Sequence, residues 1–191
     1  MKKGCKVFFA GLIMLLLAGQ AQAVTFDTVN DLFGKQLFLD NTEKMSTTLS
    51  GLFDFVYLGF EAGDTNVLLK TADDSIIFKN KGDGASSLLA TATGYDISSL
   101  FLKDNTKDSP EYAITSWSKA VNIYQILNPI TVNGYTLLSG MFIFGFDDSG
   151  SGDGDFDDLV FAGSQVPIPG AVWLLGSALV GMVGMRRKFV A

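Results

Sequence analysis

Across residues 24–165 short apolar runs alternate with clusters of Gly, Asn, Asp and Ser, and no long stretch sustains the 3.6-residue periodicity of an amphipathic helix. The runs cover 52–60, 66–69, 75–79, 112–117, 121–127, 135–146 and 159–161, and they are rich in Val, Ile, Phe, Tyr and Thr. Thr71-Ala72-Asp73-Asp74 and Asn133-Gly134 read as hairpin turns, and Lys81-Gly82-Asp83-Gly84 as a loop. Strand-like runs at a spacing of roughly ten residues predict a mostly β protein, an antiparallel β-sandwich or jelly-roll-like domain. The stretch 29–49 is ambiguous and has room for a short helix. A middle of about 140 residues is long enough to bury a core without disulfides.

The two ends depart from this pattern. Met1-Lys2-Lys3-Gly4-Cys5-Lys6 is basic, residues 7–19 are apolar, and Gln20-Ala21-Gln22-Ala23 puts Ala21 and Ala23 where a signal peptidase needs small side chains. That order predicts a cleaved secretory signal peptide over 1–23, with the translocon and signal peptidase as its partners. The apolar run falls short of the roughly 20 residues a membrane span needs. Cys5 precedes the apolar run, so it is no lipid-attachment site and leaves with the leader.

At the other end Val166-Pro167-Ile168-Pro169-Gly170 leads into the apolar residues 171–185, followed by Arg186-Arg187-Lys188. The prolines block helix continuation upstream. The apolar helix expected over about 170–185 reaches roughly 22 Å, short of a hydrocarbon core of about 30 Å. The basic cluster belongs on the cytoplasmic side, which places residues 24–165 beyond the inner membrane.

A Pro-x-Pro motif, an apolar helix and a terminal basic cluster, in that order over 166–191, resemble the PEP-CTERM sorting signal. Ile168 stands where the name-giving motif has glutamate. The resemblance implies a substrate of an exosortase, held briefly in the inner membrane and passed on to the cell surface of an exopolysaccharide-producing bacterium.

Charge follows the same partition. Six of the 14 basic residues lie in the two ends, so the middle keeps eight lysines and no arginine against all 20 acids, a net charge of −12. Such a balance disfavours nucleic acid and anionic membrane surfaces as partners and suits divalent cations or simple solubility. The chain has no histidine and its one cysteine is in the leader, so disulfides, thiol catalysis and thiolate metal sites are excluded, along with the commonest general base. The three glutamates, Glu43, Glu61 and Glu111, sit in no recognisable catalytic motif. The expectation is a protein that is not an enzyme.

One segment carries chemistry. Asp147, Asp148, Asp153, Asp155, Asp157 and Asp158 fall within twelve residues, interleaved with Gly and Ser. Crowded carboxylates on a pliable backbone suit Ca²⁺, which takes six to eight oxygen ligands at about 2.3–2.6 Å. Two registers are open. Counting from Asp147 gives an EF-hand-like spacing with Gly152 at the sixth position, but Asp158 stands where the closing glutamate belongs. Counting from Asp153 gives a D-x-D-x-D core of Asp153, Asp155 and Asp157. A single Gly-Asp-Gly-Asp copy is too little for a calcium-binding β-roll. The plain alternative is a solvated acidic turn that keeps an edge strand soluble.

Gly145-Phe146-Asp147-Asp148 followed by Asp155-Phe156-Asp157-Asp158-Leu159-Val160-Phe161 also resembles the ending of an uncharacterised β-rich domain found in PEP-CTERM proteins, and the Ala62–Asn66 turn resembles an earlier turn of it. That resemblance implies a sandwich-like fold with bound calcium and no assigned activity. The functional expectation is therefore an exported, non-catalytic surface or biofilm-matrix protein with structural Ca²⁺. The alternative is a carbohydrate-binding module for exopolysaccharide, using Tyr95, Tyr112, Trp117 or Tyr124 as stacking platforms. Intact mass of the protein recovered from the cell surface is expected to show the chain beginning at Val24 and ending near Pro169; a mass that retains residues 1–23 overturns the export reading.

Overall fold

The computed structural model describes residues 23–30, 32–106, 109–148 and 154–167, with positions 175, 177, 178 and 182 besides. The predicted leader (apart from Ala23) and most of the predicted sorting tail, including Ile168, Pro169 and Arg186 to Lys188, lie outside the described residues. Leu175, Ser177, Ala178 and Met182 are helical, and among the described residues no helix is long and apolar enough to cross a membrane.

The described protein is mostly β, and its sheets are largely antiparallel, as the spacing of the runs predicts. Thirteen strands are described: β1 (Val24–Phe26), β2 (Thr42–Lys44), β3 (Leu52–Gly59), β4 (Asn66–Lys70), β5 (Ile76–Lys79), β6 (Thr91–Asp96), β7 (Leu100–Asp104), β8 (Tyr112–Ala113), β9 (Val121–Ile126), β10 (Ile130–Val132), β11 (Tyr135–Leu137), β12 (Phe142–Phe146) and β13 (Leu159–Gln165). They form a six-stranded sheet in the order β2-β9-β12-β13-β3-β6, a four-stranded sheet β5-β4-β7-β8 and a three-stranded sheet β1-β10-β11. The pairing of β1 with β10 is parallel. The ambiguous stretch 29–49 holds a 3₁₀ turn, Leu32–Gly34, and a one-turn helix α1 (Gln36–Leu39), besides β2.

Both faces of the six-stranded sheet are covered. Alternate residues of one strand point to opposite faces, so Phe53, Phe55 and Tyr57 of β3 join Leu68, Phe78 and Leu102 of the four-stranded sheet in one core. Val56 and Leu58 of the same strand face Phe26, Phe38, Val132 and Leu137 in a second core. That is why β12 reads Phe-Ile-Phe-Gly-Phe, apolar at every position and buried along its whole length, instead of alternating with polar residues. Phe144 of β12 stacks on its register partner Phe161 of β13 with centroids 4.9 Å apart and planes 7° from parallel.

The turns explain the hairpins. Asn133 and Gly134 both adopt positive φ, 49° and 78°, the geometry that lets a two-residue turn match strand twist between β10 and β11. Asp74, at φ 52°, closes the turn between β4 and β5 with its backbone N–H on the Lys70 carbonyl at 3.0 Å. The run 135–146 is split by a turn at residues 139–140 into β11 and β12, and the run 112–117 shrinks to the two residues of β8. Strands β2 and β6 edge the six-stranded sheet, and their sequences, Thr-Glu-Lys and Thr-Ala-Thr-Gly-Tyr-Asp, are polar, as exposed edges require.

Gly145 marks a tight backbone approach in the central sheet. A Cβ at this position would run into the Phe156 carbonyl oxygen and the edge of the Phe33 ring. Gly145→Ala must push the Asp-rich segment or the Phe33 ring outward, and overpacking of this kind costs about 1–3 kcal/mol. Urea unfolding is expected to show a lower midpoint for Gly145→Ala with the slope preserved; an unchanged midpoint would mean that Phe33 and the segment yield freely.

Candidate metal centre

The Asp-rich segment joins β12 to β13, two neighbours in the interior of the six-stranded sheet. It therefore does not shield an edge strand, and that part of the plain alternative falls. Of the six aspartates predicted to bind metal, Asp153 lies outside the described residues, together with 149–152. Asp147 is 4% exposed and Asp157 1% exposed, while Asp148, Asp155 and Asp158 are half-buried.

Three of these side chains are sorted into two groups whose other members come from elsewhere in the chain. Asp155 and Asp157 meet Glu61, just beyond β3. Asp148 meets Asp64, in the turn between β3 and β4, and Asp104, the last residue of β7. Within each group, one carboxylate oxygen per residue lies within 4.8 Å of the others.

Backbone and carboxamide hydrogen bonds hold these segments together. The Glu61 N–H donates to the Asp157 carbonyl at 2.9 Å, laying the exit of β3 along the Asp-rich segment. Asn80, at the end of β5 and 2% exposed, acts as a hub. Its Oδ1 accepts the Asn66 N–H at 2.8 Å, and its Nδ2 donates to the carbonyls of Asp64 at 3.0 Å and Asp158 at 3.3 Å. Asp104, fully buried, accepts the Thr106 N–H on Oδ1 at 2.8 Å and pairs in register with Asn66 of β4.

Asn66 is itself fully buried, and its Nδ2 donates to Asp148 Oδ2 at 2.8 Å. Its Oδ1 is buried and accepts no hydrogen bond among the described residues. A buried carbonyl oxygen left in that condition costs about 1–3 kcal/mol.

The electrostatics are those of crowded anions. Burial pushes the Asp158 carboxyl from 3.8 up to about 7, the neighbouring charges of Asp148, Asp147 and Asp155 add to the rise, and the hydrogen bond from the Asp148 N–H opposes it. That bond, 2.7 Å from the Asp148 nitrogen to Asp158 Oδ2, closes the base of the segment. Phe156, between Asp155 and Asp157 of one group, lies in the left-handed region at φ 61°, a conformation that bulky residues rarely adopt.

The aromatic platforms fare differently. Tyr124 is buried against Phe33 and Phe38, and Tyr95 and Tyr112 are half-buried against the core, Tyr112 with its ring 5.8 Å from Phe146. Trp117 alone of the four is exposed, at 51%, with Lys44 Nζ 4.3 Å from its ring centroid. It borders an open recess of about 440 Å³ with Met45, Ser46 and Ser116.

Sequence reasoning missed Asp64 and Asp104 as ligand candidates and set Glu61 aside. Asp64 carried a faint signal in the Gly-Asp-Thr-Asn turn, and Asp104 in closing the apolar run Leu-Phe-Leu-Lys-Asp; Glu61 carried none. No family model, curated protein or solved structure matches the chain. What stands is a donor set: acidic groups with the oxygen chemistry to hold a metal ion.

Proposed function

We propose that this chain is an exported, non-catalytic surface or extracellular-matrix protein, sorted by an exosortase through its tail, whose β-rich, sandwich-like body binds Ca²⁺ as a structural ion. The observation that carries the reading is the pairing of two carboxylate groups around one Asp-rich hairpin connection. All their side-chain donors are oxygen, which favours a hard cation, and Ca²⁺ takes such ligands in a flexible geometry without the strict octahedron of Mg²⁺. A middle without histidine, cysteine or arginine supports a binding role over catalysis. Extracellular calcium modules work with dissociation constants of about 10⁻⁴–10⁻³ M, a range matched to a protein delivered outside the inner membrane.

With Ca²⁺ at one hundred times its dissociation constant, selective binding to the folded form adds about 2.7 kcal/mol. For a chain of this size that is a rise of roughly 5–10 °C in melting temperature. The purified full-length chain is expected to show such a rise with Ca²⁺ and a smaller one with Mg²⁺. Superimposable melting curves in Ca²⁺ and in chelator would remove calcium from the account.

Exposed Trp117 beside its recess supports a second reading, a carbohydrate-binding surface for exopolysaccharide. Retention of the chain on the native polysaccharide, lost in Trp117→Ala, is the expected result under that reading. Absence of retention by the unaltered chain rules it out.

A further inference from the structure

The two carboxylate groups are not equivalent. Glu61 is exposed, whereas Asp104 is fully buried and stands across the β4–β7 ladder from Asn66, also fully buried. The carboxamide of Asn66 is held by its bond to Asp148 Oδ2, and its own Oδ1 is a buried acceptor that receives no hydrogen bond among the described residues. This orphaned oxygen is a second observation, independent of the acidic cluster, and it points to a ligand that the oxygen would coordinate.

We propose that Asp64, Asn66, Asp104 and Asp148 form one buried Ca²⁺ site, and that the ion clasps the four-stranded sheet to the end of β12. The proposal rests on the calcium reading above and assigns the ion to a specific set of oxygens. Two ligand oxygens at about 2.4 Å from a shared ion lie at most about 4.8 Å apart, and the carboxylate oxygens of Asp64, Asp104 and Asp148 satisfy that bound. Asn66 supplies a fourth oxygen without a fourth negative charge, so a dication meets three carboxylates and one neutral carbonyl. Water completes the six to eight oxygens that Ca²⁺ takes.

The topology gives the site its effect. Asp64, Asn66 and Asp104 belong to the turn before β4, to β4 and to β7, whereas Asp148 follows β12 of the six-stranded sheet. An ion bound to all four ties one sheet to the other at the rim of their shared core. The Asn80 hub ties the backbone of Asp64, Asn66 and Asp158 together, so the site is built before the ion arrives.

The test is amide hydrogen exchange on the full-length chain with Ca²⁺ or with chelator, together with titration calorimetry. Ca²⁺ is expected to slow exchange across β4 and β7. Asp104→Asn and Asp148→Asn are expected to raise the dissociation constant about tenfold or more and to abolish that slowing. Glu43→Gln, which alters an exposed carboxylate on β2 that belongs to neither group, is expected to leave it in place. The exchange map of the unaltered chain needs no variant to fold. If that chain binds Ca²⁺ while β4 and β7 exchange at the same rate with and without it, the clasp is wrong and the calcium reading stands. If it binds no Ca²⁺ at all, both fall together.

Discussion

The central hairpin of β12 and β13 is the constraint to which the rest of the structure is fitted. Its strands sit in the middle of the six-stranded sheet, and the face-to-face stack of Phe144 on Phe161 lies in the core shared with the four-stranded sheet. On the opposite face Ile143, Val160 and Ala162 bury against the residues around the three-stranded sheet and α1. A hairpin buried on both faces leaves its connection one place to emerge, the end of the sheet. There the exits of β3 and β7 and the start of β4 also arrive. The acidic residues meet because the strands that carry them end at the same rim.

Strands β3, β9 and β13, which bury two faces, were legible in the sequence, whereas β7, buried at Leu100, Phe101 and Leu102, was missed. Runs such as 52–60, 121–127 and 159–161 are dense in Phe, Val, Ile and Leu because most of their residues have a core to enter, whichever way they point. Strands β2 and β6 lie on the edges and carry Thr, Glu, Lys and Asp in its place, so their composition resembles that of the loops. Strand β1 is three residues long and acquires its extended form from a parallel partner 106 residues away, Val24 opposite Ile130. Such a contact leaves no mark on local periodicity. The three-layer burial likewise follows from the pairing order of the strands, which composition does not encode.

The candidate metal centre was half legible for the same reason. Asp147 to Asp158 are neighbours in sequence, and their crowding announces an oxygen-rich locus directly. Asp64, Asn66 and Asp104 are brought to Asp148 by the antiparallel pairing of β4 with β7 and by the hydrogen bonds of Asn80. An EF-hand-like loop closes around its ion with residues from one short segment, and the spacing from Asp147 pointed that way. The groups seen here draw on separate strands, so the ordering that a loop would supply locally is supplied by sheet pairing.

The position of β13 has a mechanical consequence. The chain leaves this strand at Gln165 and passes straight into Val166-Pro167, with the Val166 N–H still bonded to the Leu52 carbonyl at 2.8 Å. A load applied through the C-terminal segment therefore enters the body along an interior strand, flanked by β12 on one side and β3 on the other. Drawing β13 out lengthwise shears two ladders of hydrogen bonds together, whereas a peripheral strand would unzip one bond at a time. The end of the body that meets the tail is thus the one best placed to bear tension.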